Sequence, residues 1–154
     1  MIRTEKRLRL CAVLTALNLA FIWGNSLLPG ELSGAFSDWV GEMLSQLLPW
    51  GAPGTGGTGL LRKLAHFSEF AMLGMLLRWL WGMLQKGALP ALVCGFLAAC
   101  TDETIQRFVP ERGPSLWDVA IDTCGVAAGI LLLWLGYTVY QKRTKQYPLE
   151  EKNQ

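Results

Sequence analysis

Charge is scarce in this chain. Of its 154 residues only 17% are Asp, Glu, Lys or Arg, against 51% apolar, whereas soluble domains carry about 25% charged residues. The net charge of +2 gives no footing for a nucleic-acid partner. Histidine occurs once, as His66, and the four cysteines, Cys11, Cys94, Cys100 and Cys124, form no CxxC pair. That argues against a zinc site built from Cys and His. Each Cys falls in an apolar run and reads as a buried free thiol acting as a small hydrophobe. A nucleophile motif of the GxSxG kind is missing. The Gly-, Thr- and Pro-rich stretch 51–59 is followed by Leu60, where a phosphate-binding loop needs Lys and then Ser or Thr. It reads as a linker.

What the chain has is length without charge. Four stretches meet the roughly 20 residues needed to cross a bilayer: 8–28, 64–84, 88–109 and 116–140. The 17 Gly and seven Trp fit membrane helices and their interfaces; Trp79, Trp81, Trp117 and Trp134 read as belt and packing residues. The first stretch follows Arg3, Lys6, Arg7 and Arg9, as a signal peptide would. Its apolar run is long, however, and ends at Leu27-Leu28-Pro29 without a small-residue cleavage site, so it reads as a retained span. A tight turn at Lys86, Gly87 and Pro90 makes the second and third spans antiparallel neighbours.

Basic residues set the expected orientation. They gather before the first span, around Arg78 and Lys86, and in the tail at Lys142, Arg143, Lys145 and Lys152; the opposite side holds Arg62, Lys63, Arg107 and Arg112. By the positive-inside rule both termini are cytoplasmic, with a tail at 141–154 and an external loop at 29–61. In that loop Phe36, Trp39, Val40, Met43, Leu44 and Leu47 recur at helical spacing opposite Asp38, Glu42 and Ser45. Residues 36–48 therefore read as an amphipathic helix, lying on the membrane or capping the bundle. The expected fold is all-α: one membrane domain over 1–154, four spans and this short external helix.

Ionisable groups inside spans are costly, about 2.5–3.5 kcal/mol each at the helix centre on insertion scales. The chain nevertheless places Lys63, His66 and Glu69 in the second span, Asp102, Glu103, Gln106 and Arg107 in the third, and Asp118 and Asp122 in the fourth. At about 1.5 Å per residue, Glu69, Asp102 and Asp122 come to one depth, roughly 8–10 Å below the outer helix ends. Periodicity groups Asp118, Asp122, Gly125 and Gly129 on one stripe, Gly95, Ala98, Ala99, Asp102 and Gln106 on another, and Lys63, His66, Phe70 and Gly74 on a third, with Glu69 at its edge. Each polar stripe runs into small residues that let helices close up, so the charges face inward. Five acids (Glu69, Asp102, Glu103, Asp118, Asp122) then outnumber Lys63, Arg107 and Arg112. A protonated carboxyl, a charged His66, or a cation or cationic ligand would balance the surplus. The alternative is a structural network of ion pairs that binds nothing.

The segments Lys63-Leu-Ala-His66-Phe-Ser-Glu69-Phe70 with Leu73-Gly74, Asp102-Glu103-Thr-Ile-Gln106-Arg-Phe108-Val-Pro110-Glu-Arg112, and Ser115-Leu-Trp-Asp118-Val-Ala-Ile-Asp122-Thr-Cys-Gly125 resemble the VanZ-like family in content and order. The resemblance covers about residues 63–129. It implies a small multi-spanning bacterial membrane protein, in a family named for a member that lowers susceptibility to the glycopeptide teicoplanin. Its pattern marks Lys63, His66, Glu69, Asp102, Glu103, Gln106, Arg112 and Asp118. At Asp122 the family often has Asn.

Two functions stay open at this stage. One is a non-enzymatic envelope protein whose external pocket binds a phospholipid headgroup or lipid-linked cell-wall precursor, with Arg112 and Lys63 on phosphate or carboxylate oxygens. The other is an intramembrane enzyme or transporter. There Glu69 or Asp102 would act as acid or base with His66 as proton partner, and a divalent cation on Asp102, Glu103 and Asp118 would clamp a pyrophosphate.

Overall fold

The computed structural model describes residues 2–47 and 58–146, and within them every regular element is a helix. In chain order these are α1 (Ile2–Ser26), α2 (Gly30–Leu47), α3 (Thr58–Met83), α4 (Ala88–Gln106) and α5 (Leu116–Gln146). Most of the linker expected at 51–59 lies outside the described residues; Thr58 and Gly59 already belong to α3.

Three helices are long and apolar enough to cross a membrane: Thr4–Ser26, Ala88–Gln106 and Leu116–Thr144. Only 17%, 33% and 22% of their most apolar windows are buried inside the protein. The hydrophobic residues therefore point outward, as with Leu10, Val13, Leu17 and Phe21 on α1 or Leu131, Leu132 and Leu135 on α5. So much exposed apolar surface is untenable in water and natural against lipid. α3 has comparable length, 26 residues, but carries Arg62, Lys63, Glu69 and Arg78. It is also the centre of the molecule, packing against α1, α2, α4 and α5.

The closest approach is between α3 and α5. A Cβ at Gly74 would run into the backbone carbonyl of Val126, and one at Gly129 into that of Ala71. Glycine is what allows these backbones to touch. Beside this seam lies the core of Ile22, Phe70, Leu73, Leu77, Ala91, Ala98, Ala99 and Val126.

The connections are capped by the chain itself. At the end of α3 the Lys86 N–H donates to the Trp81 carbonyl (2.8 Å) and the Gln85 N–H to that of Gly82 (3.0 Å). This is a Schellman pattern, with Gln85 at φ 56° where glycine is usual. Ser115 caps α5: its Oγ accepts the Trp117 N–H at 3.2 Å.

Several expectations shift. α2 begins at Gly30 and not at 36, because the loop after α4 satisfies its first amides. The Gly30 N–H donates to the Pro110 carbonyl (3.2 Å), and the Glu31 N–H to the Glu111 carboxylate (3.1 Å). The described part of the segment 29–61 is thus largely helical. α4 stops at Gln106, ahead of a turn through Pro110. All four cysteines are free, but only Cys11 is buried; Cys94 and Cys100 are half-buried and Cys124 is exposed. Their apolar neighbours turn to the molecule's surface as often as to its core.

Candidate functional site

The polar stripes converge where α1 and α4 end and α3 and α5 begin. Asp102 sits at the centre, fully buried. Its Oδ1 accepts the Ser26 hydroxyl at 2.6 Å, and its Oδ2 accepts the Gln106 side-chain amide at 2.9 Å. The same amide also reaches Ser26 Oγ at 3.4 Å. Two donors therefore grip one carboxylate from behind, which holds it as an acceptor and fixes its plane.

In front of Asp102 stand His66 and Asp122. His66 Nδ1 lies 4.0 Å from Asp102 Oδ2, too far for a hydrogen bond. One donor atom each of His66, Asp102 and Asp122 fall within 4.8 Å of one another. Asp122 is 1% exposed, and neither of its oxygens has a hydrogen-bond partner among the described residues; nor has His66 Nδ1. A crevice of about 10 Å³, lined by Arg62, Lys63, His66, Asp118, Ile121 and Asp122, leads to this trio. Lys63 is exposed, and Asp118 half-buried.

A second group lies beside the first. Glu69 accepts the Asn25 amide at 3.1 Å, and Arg112 donates from Nη2 to the Asn25 carbonyl at 3.2 Å. Glu103 turns toward α5, where its Oε2 accepts the Ser115 N–H at 2.7 Å. One oxygen each of Glu69 and Glu103, and Nε and Nη1 of Arg112, are buried without a partner among the described residues. Burial, and after it the neighbouring Arg62, pushes the pKa of Arg112 below its usual value, while Asp102, Glu103 and Glu69 pull it back. A guanidinium starts so high that it stays charged. Its two idle donors can take an oxyanion, and the idle carboxylate oxygens can take hydroxyl or ammonium donors.

Of the residues singled out in the sequence, His66, Asp118 and Asp122 line the crevice, with Asp102 buried beside His66 and Asp122 and held by Gln106. Glu69, Glu103 and Arg112 form the flank, and Lys63 stands at the mouth. Arg107 is exposed and takes no part in the charge balance once assigned to it. The divalent-cation set considered from the sequence was Asp102, Glu103 and Asp118; among the described residues the donor atoms that come within 4.8 Å of one another are those of His66, Asp102 and Asp122, while Glu103 is engaged by Ser115. Sequence reasoning missed three contributors. Asn25 and Ser26 sit at the end of α1, where a polar pair looks like an ordinary helix terminus, and Arg62 was counted only among the basic residues of the external side. A pointer to the first two was present: Asn25 and Ser26 come to the depth at which α4 carries its acids.

No curated protein and no solved structure matches this chain. Residues 9–137 match the sequence profile of the VanZ/LLP1 family. Most of the chain is covered, and the matched region contains every residue of the cluster described above. The chain belongs to the VanZ/LLP1 family.

Proposed function

We propose that this protein crosses the bacterial cytoplasmic membrane four times, with both termini inside, and that the polar site opens outward to bind an anionic envelope headgroup or lipid-linked cell-wall precursor. α3 is the added span. Its 26 residues reach about 39 Å, and the helices packed around it shield charges that lipid would reject. The distribution of Lys and Arg supports the orientation. With its exposed Leu32, Trp39 and Met43 on one face, α2 then rests at the outer interface.

The observation that carries the binding reading is Arg112. Half-buried and anchored to α1 through Asn25, it keeps Nε and Nη1 without a protein partner among the described residues. Hydrogen bonds from a charged group contribute about 1.5–3 kcal/mol each, so a phosphate or carboxylate bound there would be held firmly. Arg62 and Lys63 at the crevice mouth add attraction for the same charge. By its family, the protein would lower susceptibility to glycopeptides of the teicoplanin type, through what it holds at the outer surface.

The test has two arms. Purified protein should bind vesicles presenting phosphate headgroups at least 10-fold more weakly as Arg112→Ala, and Arg112→Lys should restore only part of the loss. In cells, expression should raise the teicoplanin concentration needed to stop growth, and Arg112→Ala should cancel the effect. Unchanged binding in Arg112→Ala would discard the reading.

A second reading, intramembrane acid–base chemistry on lipid-linked material, draws on the His66–Asp102 approach at 4.0 Å. It predicts turnover. Lipid-linked precursor incubated with the protein, with or without Mg²⁺, would release phosphate or change its headgroup; under the binding reading it comes back intact.

A further inference from the structure

We infer that His66, Asp102 and Asp122 form a binding site for a divalent transition-metal ion. The site goes beyond the headgroup reading and does not depend on it.

The geometry comes first. A transition metal holds imidazole nitrogen and carboxylate oxygen at about 2.0–2.2 Å, so two donors on one ion lie at most about 4.4 Å apart. His66 Nδ1 and Asp102 Oδ2 are 4.0 Å apart. That gap is too long for a hydrogen bond and matches two atoms sharing an ion. With Asp122 the three donor atoms span 4.8 Å or less, and small side-chain rotations bring the third oxygen into range. The crevice that His66 and Asp122 line, about 10 Å³, takes one water-sized occupant.

The second observation is independent of this spacing. Asp122 is 1% exposed, faces the same crevice, and has no donor on either oxygen among the described residues. An isolated buried carboxylate is among the costliest groups a protein can hold. A cation between Asp102 and Asp122 turns that cost into attraction and separates two like charges.

The surroundings are those of a metal site. Ser26 and Gln106 orient Asp102 from the far side, as outer-sphere hydrogen bonds orient metal-bound carboxylates. One imidazole with two carboxylates favours Zn²⁺, Mn²⁺ or Fe²⁺ over Mg²⁺ and Ca²⁺, which prefer oxygen alone. Three protein ligands leave positions free for water or an exogenous oxygen.

The two carboxyls sharing one proton is the competing account. Under it a proton would bridge one oxygen of each carboxyl, no ion would bind, and no ¹⁴N modulation would be seen. It also leaves His66 Nδ1 without a role.

The full-length protein in lipid nanodiscs, stripped with chelator, is titrated with Zn²⁺ and with Mn²⁺, with no headgroup present. One equivalent per chain should bind. Asp122→Asn, close in shape to the native residue, and His66→Ala should each weaken binding at least 10-fold, and Ser26→Ala about 10–100-fold through Asp102. Glu31→Gln, exposed and outside the cluster, should bind as the native protein does. Pulsed electron paramagnetic resonance of the native Mn²⁺ form should show ¹⁴N modulation from one imidazole, which needs no variant. The proposal falls if the native protein binds no ion, if the ¹⁴N modulation is absent, or if Asp122→Asn and His66→Ala bind as tightly as the native chain. Because headgroup vesicles are assayed separately through Arg112, either result can fail without the other.

Discussion

The helices α3 and α5 are partners along their whole length, yet the two ends of the pair could hardly differ more. Midway along both helices Gly74 and Gly129 bring the backbones into contact, and toward the N-termini His66 and Asp122 face one another across a narrow crevice. Toward the C-termini the helices part around a groove of about 720 Å³, lined by large residues such as Met75, Trp79, Trp134, Tyr137 and Tyr140. Close approach and buried charge go together here; wide spacing and aromatic lining go together there. Small residues let the backbones close up beside buried Asp102 and Asp122.

Four substitutions probe that contrast. Gly129→Leu should do most, since its side chain would meet the Ala71 carbonyl. Wedging the helices apart should cost about 3 kcal/mol or more, read as a lowered unfolding midpoint in detergent together with loss of metal binding. Ser26→Ala comes next. It removes the 2.6 Å bond to the buried Asp102 carboxylate, for a loss of about 2 kcal/mol. At the other end, Gln85→Gly should raise stability by about 1 kcal/mol, because Gln85 holds a left-handed conformation at φ 56° that glycine adopts freely. Gly136→Leu should change stability by less than about 0.5 kcal/mol, since a Cβ at Gly136 meets nothing within 4 Å. Residues 129 and 136 are two turns apart on one helix. A Gly136→Leu effect as large as that of Gly129→Leu would erase the distinction between the ends.

The inward-facing stripes of α4 and α5 were legible because 3.6-residue periodicity and small-residue spacing are both local properties of a sequence. Asp102, Gln106, Asp122, Gly125 and Gly129 are all buried, as the pattern required. The partners of those residues were less legible. Ser26 lies 76 positions from Asp102, and Asn25 lies 87 from Arg112; no local pattern marks such pairs. The start of α2 was missed for a related reason, since its first amides are met by Pro110 and Glu111. The direction of Glu103 was lost to a backbone N–H, that of Ser115, which no side-chain pattern records.

The hydroxyl of Ser26 also bears on how the chain is made. A helix carrying Asp102 and Glu103 is a reluctant passenger for the translocon, although their place near its end keeps the cost below the roughly 2.5–3.5 kcal/mol of a mid-helix carboxylate. The chain is synthesised from its N-terminus, so Ser26 reaches the bilayer before α4 emerges. Asp102 thus enters a setting in which one of its two donors already waits, and the order of the helices in the gene becomes part of what lets α4 insert.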